Sequence, residues 1–201
     1  MIYLASNSPR RQELLQQMGV VFEVIPQFAP EQHQIHESPE RYVARLAYEK
    51  AYDGWSRQDD QTIPVLGSDT VVVLEGKILE KPKNREHAID MLLQLSGQTH
   101  QVITAVALLN KEKQQQSLSL TDVTFAKLDK PLCEAYWQTG EPIDKAGGYA
   151  IQGKGALFIS NINGSYSAVM GLPIYETQQL LAQFSLPSMI LKNTNNKRQK
   201  I

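Results

Sequence analysis

Six charged residues stand where charge is unusual or where it would bind an anion: Arg10, Arg11, Glu31, Lys50, Asp69 and Lys81. Asp69 sits in Gly67-Ser-Asp-Thr70, at the head of the apolar run Val71-Val-Val-Leu74. A carboxylate buried there is costly unless a metal, a cation or a set of hydrogen bonds offsets its desolvation. The plainer alternative is an aspartate at a strand end that accepts backbone N–H bonds from the next turn. Lys50 interrupts the stripe Val43, Leu46, Ala47, Ala51, whose spacing is that of one helix face. It either snorkels to the surface, the commoner outcome, or reaches into a cleft at the edge of the core. Arg10 and Arg11 follow Ser8-Pro9, which suit the N-cap and first position of a helix. Arginine opposes the helix dipole in a first turn, so a purely structural helix would more often carry Asp or Glu there. Backbone N–H groups plus two guanidinium forks suit phosphate, with Ser8 as part of the cradle. A capped surface helix with a basic first turn is the plainer reading. Lys81 precedes Pro82 and follows Glu80, and Glu31 lies in a polar loop. Taken together the six fit hydrolysis of a nucleotide polyphosphate. The cations hold phosphates and neutralise the leaving group, while the carboxylates hold a divalent metal or orient and deprotonate water.

Other chemistries find less support. The pattern Gly-x-x-x-x-Gly-Lys-Ser/Thr is absent, and Gly153-Lys154-Gly155 does not replace it. The four histidines lack zinc spacing, with His33 and His36 in a polar loop, and no Gly-x-Ser-x-Gly elbow occurs. The one cysteine, Cys133, falls in the apolar series Leu132, Cys133, Tyr136, Trp137 and reads as a buried thiol. The chain has 201 residues, 42 % hydrophobic and 20 % charged, with a net charge of -1. That balance fits a soluble globular protein and offers no general attraction to nucleic acid or acidic lipid. Neither a signal-peptide pattern nor a membrane-length apolar run appears, so the cytoplasm is the expected compartment.

The elements that must position these residues follow from caps and periodicity. Residues 2–5 read as a strand, 9–18 as a helix with Gly19 past its end, 20–26 as a strand and 27–38 as a polar loop. Ser38-Pro39 opens a second helix, and 53–64 is a polar connection. The β-branched stretch 65–74 is a central strand that turns at Glu75-Gly76 into a strand over 77–81, and a tight hairpin would set Asp69 opposite Lys81. Asn84 caps a helix burying Ala88, Ile89, Leu92, Leu93 and Leu95, ended by Gly97. Strands follow over 100–109 and 118–125, joined by a loop at 111–116. Leu118, Leu120, Val123 and Phe125 change parity at Thr121-Asp122, which predicts a β-bulge. A short helix over 131–138 leads to the glycine-rich loop 141–155, then to strands over 156–162 and 166–169 and a last helix from Pro173 to about Phe184. The expected class is α/β: a mixed twisted sheet with flanking helices, one domain over 1–190, and a disordered polar tail over 191–201.

Six segments make the chain similar to the Maf family of nucleoside triphosphate pyrophosphatases. They are Leu4-Ala-Ser-Asn-Ser-Pro-Arg-Arg11, Tyr42-Val-Ala-Arg-Leu-Ala-Tyr-Glu-Lys-Ala51, Gly67-Ser-Asp-Thr70, Glu80-Lys-Pro82, Leu95-Ser-Gly-Gln-Thr-His-Gln-Val-Ile-Thr-Ala-Val106 and Asp144-Lys-Ala-Gly-Gly-Tyr-Ala-Ile-Gln-Gly153. The resemblance implies an ITPase-like fold of two lobes around a central cleft. It implies cleavage of a nucleoside triphosphate between its α and β phosphates, with Mg²⁺ or Mn²⁺ as the divalent cation. Asp69 matches the family's proton acceptor, and Glu31, Lys50 and Lys81 match its other charged site positions, with Glu31 ranked ahead of Glu37. Lys50 and Lys81 would join Asp69 in catalysis; Ser8, Arg10, Arg11, Lys50 and Lys81 would hold phosphate; Glu31 and Asp69 would hold the metal. An unperturbed Asp titrates at about 3.9 and is a weak base, so metal holding is an alternative role for Asp69. Arg10, Thr70 and Gln152 match the type that prefers dTTP and UTP. The sister type, which prefers 7-methyl-GTP, would carry an aromatic residue, Gln and Glu there. A neutral amide suits the imide edge of thymine or uracil, whereas Glu suits the cationic methylated guanine. The family further implies a homodimer and leaves open a nucleotide-binding regulator of septum formation.

Overall fold

The computed structural model describes residues 1–186, so the tail expected to be disordered lies outside the described residues. Among the described residues seven strands form one mixed sheet: β1 (Ile2–Leu4), β2 (Phe22–Val24), β3 (Val65–Leu74), β4 (Lys77–Leu79), β5 (Thr99–Leu109), β6 (Gln114–Phe125) and β7 (Ile159–Asn163). Their order is β2-β1-β3-β5-β6-β7, with β4 also on β3. β1 runs parallel to β2 and β3, while β4 and β7 run antiparallel to β3 and β6. The helices are α1 (Pro9–Gln17), α2 (Pro39–Ser56), α3 (Arg85–Leu95), α4 (Lys130–Trp137), α5 (Tyr166–Met170) and α6 (Ile174–Gln183). The mixed α/β class is therefore the one the alternating pattern implies. No helix among the described residues is long and apolar enough to cross a membrane.

Two compact units share the chain. Among the described residues the first holds 1–69, 104–118 and 171–186; the second holds 70–103 and 119–170. In the first, α2 begins as its residues dictate: Ser38 Oγ accepts from the Arg41 amide at 3.3 Å and Pro39 takes the first position. Val43, Leu46, Ala47, Lys50 and Ala51 are its buried face. The helix continues through Ser56, four residues into the expected polar connection, because Gly54 is buried and Trp55 packs on the cluster Ala5, Ile25, Val65. At α1, Ser8 is the N-cap residue, yet its side chain makes no capping bond; its amide instead donates to Ser6 Oγ at 3.2 Å.

The second unit is built on Val72, Ile89, Leu92, Leu95, Val102, Val123, Phe125, Cys133, Tyr136 and Phe158. Cys133 is fully buried there, as its apolar neighbours imply. Asn84 caps α3 by accepting from the His87 amide at 2.9 Å, and Asp129 caps α4 from Leu132 at 2.9 Å. Four expectations fail among these elements and the loop that leads into β6. β6 shows no parity change at Thr121-Asp122: Ser119, Thr121, Val123 and Phe125 all face inward and Leu120 is exposed. Thr121 tolerates the buried position because its Oγ1 accepts from the Ser165 amide at 2.9 Å. The register shift lies later, between Thr124 and Phe125 against β7. Residues 166–170 form α5 and not a strand, since Ser165 Oγ accepts from the Ala168 amide at 3.2 Å and starts a helical turn. The first part of the expected strand 156–162 belongs to a 3₁₀ turn, Lys154–Phe158. The loop before β6 is also shorter than expected, because Asn110 Oδ1 accepts from Glu112 and Lys113 amides and closes the turn before Gln114.

Candidate active site

Gly67 brings β3 and α2 together. A Cβ there would run into the Ala47 carbonyl oxygen and the Ala51 amide of α2, so the strand lies flush on the helix backbone. Residues two apart on a strand share a face, which turns Asp69 toward the same helix, where Lys50 stands between Ala47 and Ala51. The Lys50 ammonium donates to Asp69 Oδ1 at 2.6 Å and to Glu31 Oε1 at 2.5 Å. Lys50 is 4 % exposed and Asp69 8 %, whereas the Glu31 side chain is 42 % exposed. Lys50 therefore does not snorkel; two carboxylates satisfy it within the fold. The cluster runs from a buried aspartate through one ammonium to a glutamate at the surface.

Glu31 is delivered by a loop held on both sides. Ahead of it, the Phe28 amide donates to Asp53 Oδ2 at 2.7 Å. Behind it, Arg45 donates from Nε to Glu37 Oε1 at 2.7 Å, from Nη2 to Glu37 Oε2 at 2.7 Å and to the Gln32 carbonyl at 2.9 Å, and also pairs with Glu49. The hydrogen bond from Arg45 holds the Glu37 carboxyl below the ordinary glutamate value, and the same bond raises Arg45. Glu31 and Glu37 are thereby separated in role: the first meets Lys50, the second meets Arg45. Sequence reasoning missed Arg45, although it lies inside Tyr42-Val-Ala-Arg-Leu-Ala-Tyr-Glu-Lys-Ala51.

Arg11 faces inward from the first turn of α1. Its Nε donates to the Gly171 carbonyl at 2.9 Å and its Nη1 to Ser6 Oγ at 3.1 Å, and Ser68 Oγ lies 3.0 Å from the same Gly171 oxygen. Burial pulls the Arg11 guanidinium below arginine's ordinary value, Asp69 and Glu31 pull it back up, and Arg10 pushes it down. Arg11 thus braces the strand-to-helix turn while its charge acts on both carboxylates. Arg10 and Ser8 are half-buried at the same turn.

In the second unit, Thr70 follows Asp69 along β3 and is half-buried. The β3–β4 ladder ends at Val72 with Leu79, so the hairpin does not extend to Lys81, which is exposed beyond it. Pro82 and the short turn explain the early stop. The Gly147 amide donates to the Glu80 carbonyl at 3.2 Å, which lays the glycine-rich loop against the segment before Lys81. Gln152, in that loop, is exposed.

Among the described residues no group of three or more His, Cys, Asp or Glu side chains could hold a metal. Asp69 and Glu31 converge on the Lys50 ammonium, which fills the point between the two carboxylates. The arrangement sets one buried ammonium between two carboxylates, with the Arg11 guanidinium acting electrostatically on both.

The family model described as Maf-like protein matches residues 1–184. A dTTP/UTP pyrophosphatase of Saccharophagus degradans is 53 % identical over 188 residues, covering 92 % of this chain and 90 % of that protein. One of Shigella dysenteriae serotype 1 is 55 % identical over 184 residues, covering 92 % of this chain and 93 % of that protein. Among solved structures, the Staphylococcus aureus Ham1 protein matches with a TM-score of 0.47 at 14 % identity, over 62 % of this chain and 71 % of that one. The chain belongs to the Maf family.

Proposed function

We propose that the protein hydrolyses dTTP and UTP, and modified pyrimidine triphosphates of similar shape, to the nucleoside monophosphate and pyrophosphate. The observation that carries this reading is the buried Lys50 ammonium shared by Asp69 and Glu31. The names of the relatives support the substrate. A water oxygen attacks the α-phosphorus, the bond from that phosphorus to the bridging oxygen breaks, and pyrophosphate leaves with the bond's electron pair. Asp69 orients the water and takes its proton, and Lys50 fixes Asp69 Oδ1 in place. Arg10 and Lys81 act on the phosphate charge, and Arg11 braces the turn that presents Arg10. Asp69 and Glu31 would hold a divalent cation, Mg²⁺ or Mn²⁺, which when bound neutralises phosphate charge and acidifies water. Gln152 offers one donor and one acceptor to the imide edge of the base, with Arg10 and Thr70 completing the preference that the resemblance implies. The same resemblance supports a cytoplasmic homodimer, which sedimentation velocity tests.

The experiment is pyrophosphate release across dTTP, UTP, CTP, GTP and 7-methyl-GTP with Mg²⁺, Mn²⁺ or chelator. The reading expects dTTP and UTP to lead, monophosphate and pyrophosphate to appear in equal amounts, and chelator to stop both. Preference for 7-methyl-GTP would overturn the specificity, and binding without turnover would leave a nucleotide-responsive regulator in its place.

A further inference from the structure

The glycine-rich loop carries Gln152 on a turn, 150–153, closed by the Gly153 amide donating to the Ala150 carbonyl at 3.2 Å. Ile151 is 4 % exposed and pins the turn to the core, which leaves the next side chain, Gln152, facing solvent. Both ends of this turn are gripped by one pair of residues. The Ala150 amide donates to Tyr136 Oη at 3.2 Å, and that hydroxyl donates to Glu141 Oε1 at 2.7 Å. On the other side, the Gly155 amide donates to Glu141 Oε1 at 2.9 Å and the Lys154 amide to Glu141 Oε2 at 2.8 Å. Gly153 is flush with this carboxylate: a Cβ there would run into both carboxyl oxygens. Tyr136 is 4 % exposed and sits edge-on to Phe158, so the anchor is rigid.

We propose that Glu141, with Tyr136, is a positioning residue for base selection: its carboxylate holds one end of the turn directly and the other through the Tyr136 hydroxyl, and so sets where the Gln152 amide stands. Three donors converge on one carboxylate, a fit that a neutral amide cannot reproduce, since its NH₂ would face an N–H or O–H donor. A two-point hydrogen bond to a base edge is sensitive to displacement of the amide, whereas the phosphate chemistry of Asp69 and Lys50 does not use this loop. The inference rests on Gln152 reading the base, as proposed above.

The test compares Glu141→Gln, Tyr136→Phe and Gln152→Glu in the full chain, reading the ratio of kcat/KM for dTTP over CTP together with the split between kcat and KM. Glu141→Gln and Tyr136→Phe are expected to lower that ratio about five- to tenfold, mainly through the KM for dTTP, with kcat within about twofold of wild type. Gln152→Glu is expected to lower it at least as far. If Gln152→Glu changes the ratio and folded Tyr136→Phe and Glu141→Gln do not, the clasp is structural only and the proposal is overturned while the base reading stands. If Gln152→Glu leaves the ratio unchanged, the base reading fails and takes the proposal with it. Tyr136→Phe removes one hydroxyl and keeps the ring, so it decides the matter should Glu141→Gln not fold.

Discussion

Lys50 carries one positive charge between two carboxylates with almost none of its surface open to water. Such a group is tolerable because its partners accept directly, and it becomes costly for them once it is gone. Lys50→Met should therefore lower unfolding stability by about 3 kcal/mol in urea titration, since Asp69 and Glu31 are left facing each other, and should remove activity as well. Glu37 gives a pH prediction. Its folded-state titration lies below the ordinary 4.5, so its contribution is present above that value and fades as pH falls through the depressed one. Amide protection factors in the loop 27–38, that of the Gln34 amide in particular, should fall as pH is lowered below the ordinary carboxylate value, and Arg45→Met should weaken that dependence. Asp69 and Lys50 were legible in the sequence because charge inside an apolar pattern is conspicuous. Arg45 was not, because a cation four residues from Glu49 on a helix has the look of ordinary surface decoration.

The close contact of β3 with α2 turns two separate charged residues into one cluster. Gly67→Ala places a methyl group against helix backbone, which cannot yield as a side chain can. The variant should lose about 2–3 kcal/mol of stability and at least about tenfold in kcat/KM, because Asp69 and Lys50 are forced apart. Full activity in a folded Gly67→Ala protein would show that the spacing is not critical. Element type was readable where caps and periodicity agree, as at Ser38-Pro39 and Asn84. It failed at 166–170, where a short apolar stretch matches strand and helix equally and Ser165 decides for helix through one hydrogen bond. It failed again along β6, where the inward Ser119 and Thr121 are polar and the outward Leu120 is apolar, so hydrophobicity reports the wrong face.

Across the whole molecule, acid stability should be set in part by His100, which is buried against Phe125 and Tyr149 with its Nε2 2.8 Å from the Tyr149 hydroxyl. Burial pulls it from 6.5 to about 4. Between those values the unfolded chain binds more protons than the folded one, so stability is complete above 6.5 and declines as pH falls toward 4, by up to about 3 kcal/mol. Melting temperatures followed across that range should show the decline, and His100→Gln should flatten it. The strand order was the least legible level, because the parallel pairing of β1 with β2 and β3 joins segments far apart in sequence and leaves no local pattern. The charged residues, by contrast, are conspicuous in the sequence itself, because Lys50 and Asp69 interrupt apolar patterns and Arg10 and Arg11 stand at a helix start. The most direct test of the proposed chemistry is pyrophosphate release from dTTP by wild type, Asp69→Asn and Glu31→Gln, with folding followed by circular dichroism. The account predicts equal dTMP and pyrophosphate from wild type, a loss of about a thousandfold or more in kcat for Asp69→Asn, and a smaller loss for Glu31→Gln, all with unchanged spectra. A folded Asp69→Asn protein that keeps its turnover to within about tenfold would contradict it.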